Sequence, residues 1–209
     1  DDVFYDDSAN FIIENGVLVK YTGWQPFVEI PDTVTAIGKE AFLNNKTMMY
    51  VLIPDSVKSI GESAFKGCTS LLSVSVPDSV ESIGNSAFEG CTSMGYAYLP
   101  NNAKYTVIKS SLFRGCGCLA EIDIPSQLLE IKEGAFGNCS SLVSIELPNS
   151  IETLGDEYGP VAYGPGGAFQ NCTLLQEINI PKNLQFLGAY TFYGCSSLNN
   201  ICISKNITK

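Results

Sequence analysis

Thiols and carboxylates are the chemically capable side chains of this chain, because histidine is absent altogether. That absence removes Ser-His-Asp, Cys-His and histidine-dependent zinc hydrolase arrangements at once. Six cysteines, Cys68, Cys91, Cys116, Cys139, Cys172 and Cys195, occupy one recurring position. If the segments that carry them stack, the thiols form an interior column with Cα neighbours about 5 Å apart, a separation that a disulfide tolerates. Parallel Cβ directions do not suit the near-perpendicular disulfide torsion, and the surroundings are apolar, so free, buried, inert thiols are expected. One thiol per repeat builds no tetrahedral cluster, so neither a metal site nor a cofactor is expected. Cys118 and Cys202 lie off the column, Cys202 at an outward strand position. Asp123 and Glu146 are expected on adjacent strands, where a carboxylate pair could serve glycoside hydrolysis. On an open sheet nothing desolvates either one to raise its pKa, so a solvated acidic face, not an enzyme, is the expectation.

These residues are positioned by a segment of about twenty-three residues that repeats along the chain, clearest in IPDSVKSIGESAFKGCTSLLSV from Ile53. Its prolines, Pro31, Pro54, Pro77, Pro100, Pro125, Pro148 and Pro181, are 23, 23, 23, 25, 23 and 33 residues apart. A repeat of this period predicts a solenoid, in which each unit buries its apolar face only against its neighbours. Alternation in Leu71-x-x-Val74-x-Val76-Pro77 predicts a strand closed by proline, which cannot donate to a ladder. Stacking then gives one parallel sheet from strands near 50–53, 73–76, 96–99, 121–124, 144–147, 177–180 and 200–203, wound right-handed by the crossover rule. The aliphatic pair Val57 and Ile60 followed by Gly61 predicts a short extended piece and a bend. The Ala-Phe pairs, such as Ala64-Phe65, predict one helical or 3₁₀ turn with phenylalanines stacked inside.

Residues 1–26 are expected to be an N-terminal hairpin cap, with Asn15-Gly16 as its two-residue turn. Residues 27–209 are expected to form about seven repeats in one continuous solenoid, with insertions near 104–107 and 156–165. The second insertion, from Asp156 to Gly167, is rich in Gly, Pro and Tyr and should bulge away from the strand sheet, as a specificity element or a tolerated loop. The end ISKNITK shows no polar cap, which fits a piece of a longer chain.

Outward strand positions form two columns. One reads Phe27, Tyr50, Ser73, Tyr96, Glu121, Ser144, Glu177, Asn200; the other reads Glu29, Leu52, Ser75, Tyr98, Asp123, Glu146, Asn179, Cys202. Rigidly held tyrosines are favoured binding groups, although aromatics also pair well across strands for purely structural reasons. The candidate binding residues are Tyr50, Leu52, Ser73, Ser75, Tyr96, Tyr98, Glu121, Asp123, Glu146 and Glu177. A formal charge of −10 without a basic run makes nucleic acid a poor partner. No apolar stretch approaches the roughly 20 residues needed to cross a bilayer.

The order IPDSV, SIG, AF, GC, SL resembles the BspA-like leucine-rich repeat of bacterial cell-surface proteins, over about Phe27 to Ile203. The resemblance implies a leucine-rich-repeat solenoid with one parallel β-sheet and short turns or 3₁₀/helical pieces opposite it. It also implies an extracellular or cell-surface location, and a recognition or adhesion role toward a protein or glycan of a host or neighbouring cell. The alternative is a structural spacer without its own ligand; a hydrolase using the acidic strip is a third. This chain departs from the pattern at Asn45, where the cysteine belongs, at Lys109, where a glycine belongs, and in the two insertions.

Overall fold

The computed structural model describes residues 8–156, 166–201 and 207. It is a parallel β-solenoid in which each repeat contributes three short pieces, and three hydrogen-bonded ladders run along the coil. The first ladder consists of the strands Phe27–Glu29, Tyr50–Leu52, Ser73–Ser75, Tyr96–Tyr98, Glu121–Ile122, Ser144–Ile145 and Glu177–Ile178. Their period of two buries Val28, Val74, Ala97, Ile122 and Ile145 and turns the flanking residues outward.

Instead of one unbroken sheet, these strands form three hydrogen-bonded segments: the first two strands, the next three, and the last two. Strands of two or three residues lose a ladder when a single bond shifts. At the two breaks the stack is kept by Leu72 N–H donating to Met49 O at 3.0 Å and Ser141 N–H donating to Gly117 O at 3.1 Å. Across the longest repeat, Asn179 takes over from main chain: its Oδ1 accepts Leu147 N–H and its Nδ2 donates to Leu147 O, both at 2.7 Å. Of the expected strand at 200–203, Asn200 and Ile201 are not in a strand. Cys202 and its successor, like the bulge expected at 157–165, lie outside the described residues.

The piece expected to be merely extended is a second parallel ladder: Ala36–Ile37, Ser59–Ile60, Ser82–Ile83, Val107–Ile108, Glu130–Ile131, Thr153–Leu154 and Phe186–Leu187. It breaks between Ile83 and Val107, at the two-residue insertion. Its first segment continues into an antiparallel hairpin, Phe11–Glu14 with Val17–Tyr21. Asn15 and Gly16 turn that hairpin with φ of 50° and 79°, the two positive values that a two-residue turn of the primed type needs.

The Ala-Phe piece is a hydrogen-bonded turn, not a helical one. Its main chain bonds to the next repeat: Phe42 N–H donates to Ala64 O at 2.7 Å, and Phe65 N–H to Ala87 O at 2.8 Å. Left-handed residues on both sides of the pair aim these groups outward along the coil, Ser63 at φ 54° before it and Gly67 at 72° after it. The phenylalanines stack inside as one column: Phe42, Phe65, Phe88, Phe113, Phe136, Phe169 and Phe192. Their centroids are 4.7, 5.2, 5.7, 5.6, 5.2 and 6.0 Å apart, with interplanar angles of 4–18°. Tyr21 of the hairpin extends the column, 5.2 Å from Phe42, and Phe11 lies 5.0 Å from Tyr21.

The six column cysteines are free and buried, and each thiol has a specific task. Cys68 Sγ–H donates to Phe42 O at 3.2 Å, and Cys91, Cys116, Cys139, Cys172 and Cys195 repeat the bond to the phenylalanine carbonyl of the preceding repeat at 3.1–3.2 Å. That carbonyl already accepts a main-chain N–H three residues on. A small side chain with a weak donor satisfies its second lone pair without adding volume. Asn45, in the cysteine position of the first repeat, also donates to a main-chain carbonyl of the preceding segment, from Nδ2 to Gly23 O at 3.1 Å, while its Oδ1 accepts the N–H groups of Thr47 and Met48. Burial pushes Cys68 up and Cys139 up to about 12, and a hydrogen bond with Cys116, then burial, pushes Cys91 up.

A thiol reagent added to the native protein should therefore modify exposed Cys118 well before the column thiols; fast modification of Cys91 and Cys116 would contradict the packing. Unfolded thiols ionise near pH 8.5 and the folded thiols of Cys68, Cys91 and Cys139 only higher, so the protons these three hold in the fold stabilise it fully below that pH. Stability should fall as pH rises from about 8.5 toward 12.

Tyr105 enters the core at the two-residue insertion and is 1% exposed. Its hydroxyl has no hydrogen-bond partner among the described residues, and burial pushes its ionisation far up. A buried unpaired hydroxyl costs about 1–3 kcal/mol, so Tyr105→Phe should raise stability by about 1 kcal/mol, read as a higher urea midpoint.

Candidate binding surface

Alternation fixes which side chains leave the solenoid through the first ladder, and register fixes who stands beside whom. Phe27 is aligned with Tyr50 and Glu29 with Leu52; Ser73 with Tyr96 and Ser75 with Tyr98; Tyr96 with Glu121; Ser144 with Glu177. The two outward columns read from the alternation are therefore assembled in the registers of the three segments. Tyr50, Leu52 and Tyr98 are each about half exposed, at 47, 50 and 47%. Ser73 and Tyr96 are half-buried, whereas Ser75, Glu121, Asp123, Glu146 and Glu177 are exposed.

Contacts between site residues are few. The Tyr96 and Tyr98 rings lie 6.2 Å apart at 54°, and Tyr96 Oη is 3.5 Å from Asp123 Oδ2. Partial burial and then the Asp123 charge hold the Tyr96 phenol above its ordinary value, which keeps it a neutral hydrogen-bond donor. The strands of Tyr50 and Ser73 are neighbours without a shared ladder, so Tyr50 and Leu52 stand on one side of the serines and the Tyr96–Tyr98 pair on the other.

Two adjoining depressions lie over the acidic half. One, of about 610 Å³, is lined by Glu121, Asp123 and Glu146; the other, of about 730 Å³, is lined by Glu146, Glu177 and Gln176. They share Ser144, Ile145, Glu146 and Asn179. Asp123 and Glu146 thus do line one concavity, and both stay exposed.

Periodicity did not point to Trp24. It is the sole tryptophan of the chain and, at 67%, stands out among the exposed large apolar side chains, with Phe27 at 57%. The segment before Phe27 runs beside the next repeat, since Gly23 O accepts Asn45 Nδ2 and Pro26 O accepts the N–H groups of Met49 and Tyr50. The available signal was compositional: a lone tryptophan next to the start of the outward columns.

The sequence of the BspA type leucine rich repeat region matches this chain in six copies, over residues 25–106 and 106–209. The chain belongs to the BspA-type leucine-rich repeat family. No curated protein matches it. A leucine-rich repeat protein from Eubacterium ventriosum superposes with a TM-score of 0.74 at 25% identity, over 97% of this chain and 53% of its own. The T. pallidum leucine rich repeat protein gives 0.55 at 25% identity, covering 88% of this chain and 83% of its own. A leucine-rich repeat protein from Bacteroides ovatus gives 0.51 at 28%, covering 84% and 54%. This BspA-type chain spans about half the length of the first of these relatives. Among the described residues no helix is long and apolar enough to cross a membrane.

Proposed function

We propose that this BspA-type solenoid is a non-catalytic recognition module of a secreted or cell-surface protein, which binds a protein or glycan through the outward face of its first ladder. The observation that carries this reading is the pair of exposed columns. Half-exposed Tyr50, Leu52 and Tyr98 stand in fixed register on strands whose inner residues pack on the core, Val51 partly buried and Ala97 fully. A monomeric surface rarely leaves such apolar area open without a use for it, and rigid aromatics add contact area at little entropic cost. Membership of the BspA-type leucine-rich repeat family supports the reading.

The double variant Tyr96→Ala with Tyr98→Ala tests it. Binding to a captured extracellular protein or glycan should weaken by about 2 kcal/mol or more, while the far-ultraviolet circular dichroism stays unchanged. Titration calorimetry reads the loss. Unchanged affinity would move the site to the insertion between Asp156 and Gly167 or off this domain.

A further inference from the structure

We propose that the strand face takes an extended polypeptide segment with an apolar or aromatic end and a lysine- or arginine-bearing end, laid across the strands along the solenoid. This rests on the recognition reading above and specifies its partner. The face is divided. Trp24, Phe27, Tyr50 and Leu52, 47–67% exposed, gather at its N-terminal end, while Glu121, Asp123, Glu146 and Glu177 line the two depressions at its other end.

Among the described residues no lysine or arginine pairs with the carboxylates of that end. Ion pairs of the described residues join Lys39 to Glu62, Lys66 to Glu89, Lys104 to Glu81, and Lys132 to Glu130 and Asp156. All of them lie off the first ladder, and neither outward column contains a lysine or arginine. Tyr96 Oη approaches Asp123 Oδ2 at 3.5 Å, a contact that leaves the carboxylate's charge in place. A cationic group is therefore the complement of this end, and it would be drawn in by long-range attraction. A neutral sugar leaves that charge unanswered, a bare polyamine leaves the aromatic end unused, and an anionic polymer is repelled. A polypeptide can supply both kinds of group at a set distance.

Geometry fixes that distance. Strands are about 4.8 Å apart, so the six steps from the Phe27 strand to the Glu177 strand cover about 29 Å. An extended chain rising about 3.3 Å per residue spans this with about nine residues. From Tyr50 to the Ser144 strand, between the two depressions, is four steps, about 19 Å, or about six residues.

The test uses the intact chain and fluorescence anisotropy with labelled peptides of about twelve residues. Two carry Trp-Leu-Tyr and Lys-Arg-Lys clusters about six residues apart, one in each order. A third carries Glu in place of the basic cluster, and a neutral oligosaccharide serves as the alternative probe. One basic peptide should bind at least about tenfold tighter than the acidic one. Combining Glu121→Gln, Asp123→Asn, Glu146→Gln and Glu177→Gln should weaken it about tenfold at low salt and much less at about 0.5 M salt. Tyr50→Ser with Leu52→Ser should weaken it similarly while the salt dependence persists, with melting temperatures showing that both variants are folded. Equal binding of basic and acidic peptides, or no effect of the charge variant, overturns the proposal. If neither basic peptide binds at millimolar concentration but the oligosaccharide does, and loses binding with Tyr96→Ala and Tyr98→Ala, the recognition reading stands and the polypeptide partner falls. If neither peptides nor sugar bind, the polypeptide partner falls and the recognition reading loses its support from this face.

Discussion

Phe113→Ala is expected to lower stability by about 3–5 kcal/mol and to divide a single unfolding transition into two. The ring is fully buried and stacked on both sides, 5.7 Å from Phe88 and 5.6 Å from Phe136. Its removal leaves a cavity that the rigid turns around it cannot close, because Phe113 N–H is held by Ala135 O at 2.8 Å and its carbonyl receives Cys139 Sγ–H at 3.2 Å. In a solenoid each repeat is stabilised mainly by its neighbours, so weakening one interface uncouples the halves on either side. Urea unfolding followed by circular dichroism would show a second, lower midpoint; a cost below about 1 kcal/mol would mean that the column is not what couples the repeats. Phe113→Leu, which keeps most of the volume, should cost about half as much.

Legibility of this fold from sequence follows how many repeats vote on a position. The outward columns were readable because Leu-x-x-Val-x-Val recurs in register, and the observed pairs Ser73 with Tyr96 and Ser144 with Glu177 follow it. The stacked phenylalanines were readable for the same reason. The second ladder was not, since strands of two residues such as Ser59–Ile60 carry too little alternation to distinguish a strand from an extended bend. The role of the column thiols was also hidden. A cysteine at a buried recurring position reads as a small apolar residue, and only the structure shows that each Sγ–H satisfies a carbonyl of the preceding repeat. Asn45 reads as a flaw in the pattern, yet its amide also donates to a main-chain carbonyl, that of Gly23 just after the hairpin. At the candidate site the register was legible but Trp24 was not, because it precedes the first full repeat and no periodicity marks it.

The recurring glycine after the aliphatic pair is the other place where sequence suggested the wrong reason. It reads as a turn residue, but Gly84 carries no positive φ; what it lacks room for is a side chain. A Cβ there would come within 2.7 Å of both Glu62 Cα and Gly61 C, main-chain atoms of the preceding repeat. The two backbones are drawn together by Gly84 N–H donating to Ile60 O at 2.8 Å, as Gly61 N–H does to Ile37 O at 2.8 Å. Gly84→Ala should therefore cost at least about 3 kcal/mol, since main chain cannot rotate away as a flexible side chain would. Gly90 supplies the contrast. Its φ is 73°, but a Cβ there meets nothing nearer than 3.8 Å, so Gly90→Ala pays only the left-handed penalty of about 1 kcal/mol. If turn conformation were what these glycines provide, the order would reverse, and chemical unfolding of the two variants side by side decides it. The result also bears on the binding face. Gly61 and Gly84 follow the strand pieces Ser59–Ile60 and Ser82–Ile83, whose repeats also carry Tyr50 to Leu52 and Ser73 to Ser75. Forcing these backbones apart changes the spacing of the outward columns that a ligand would span.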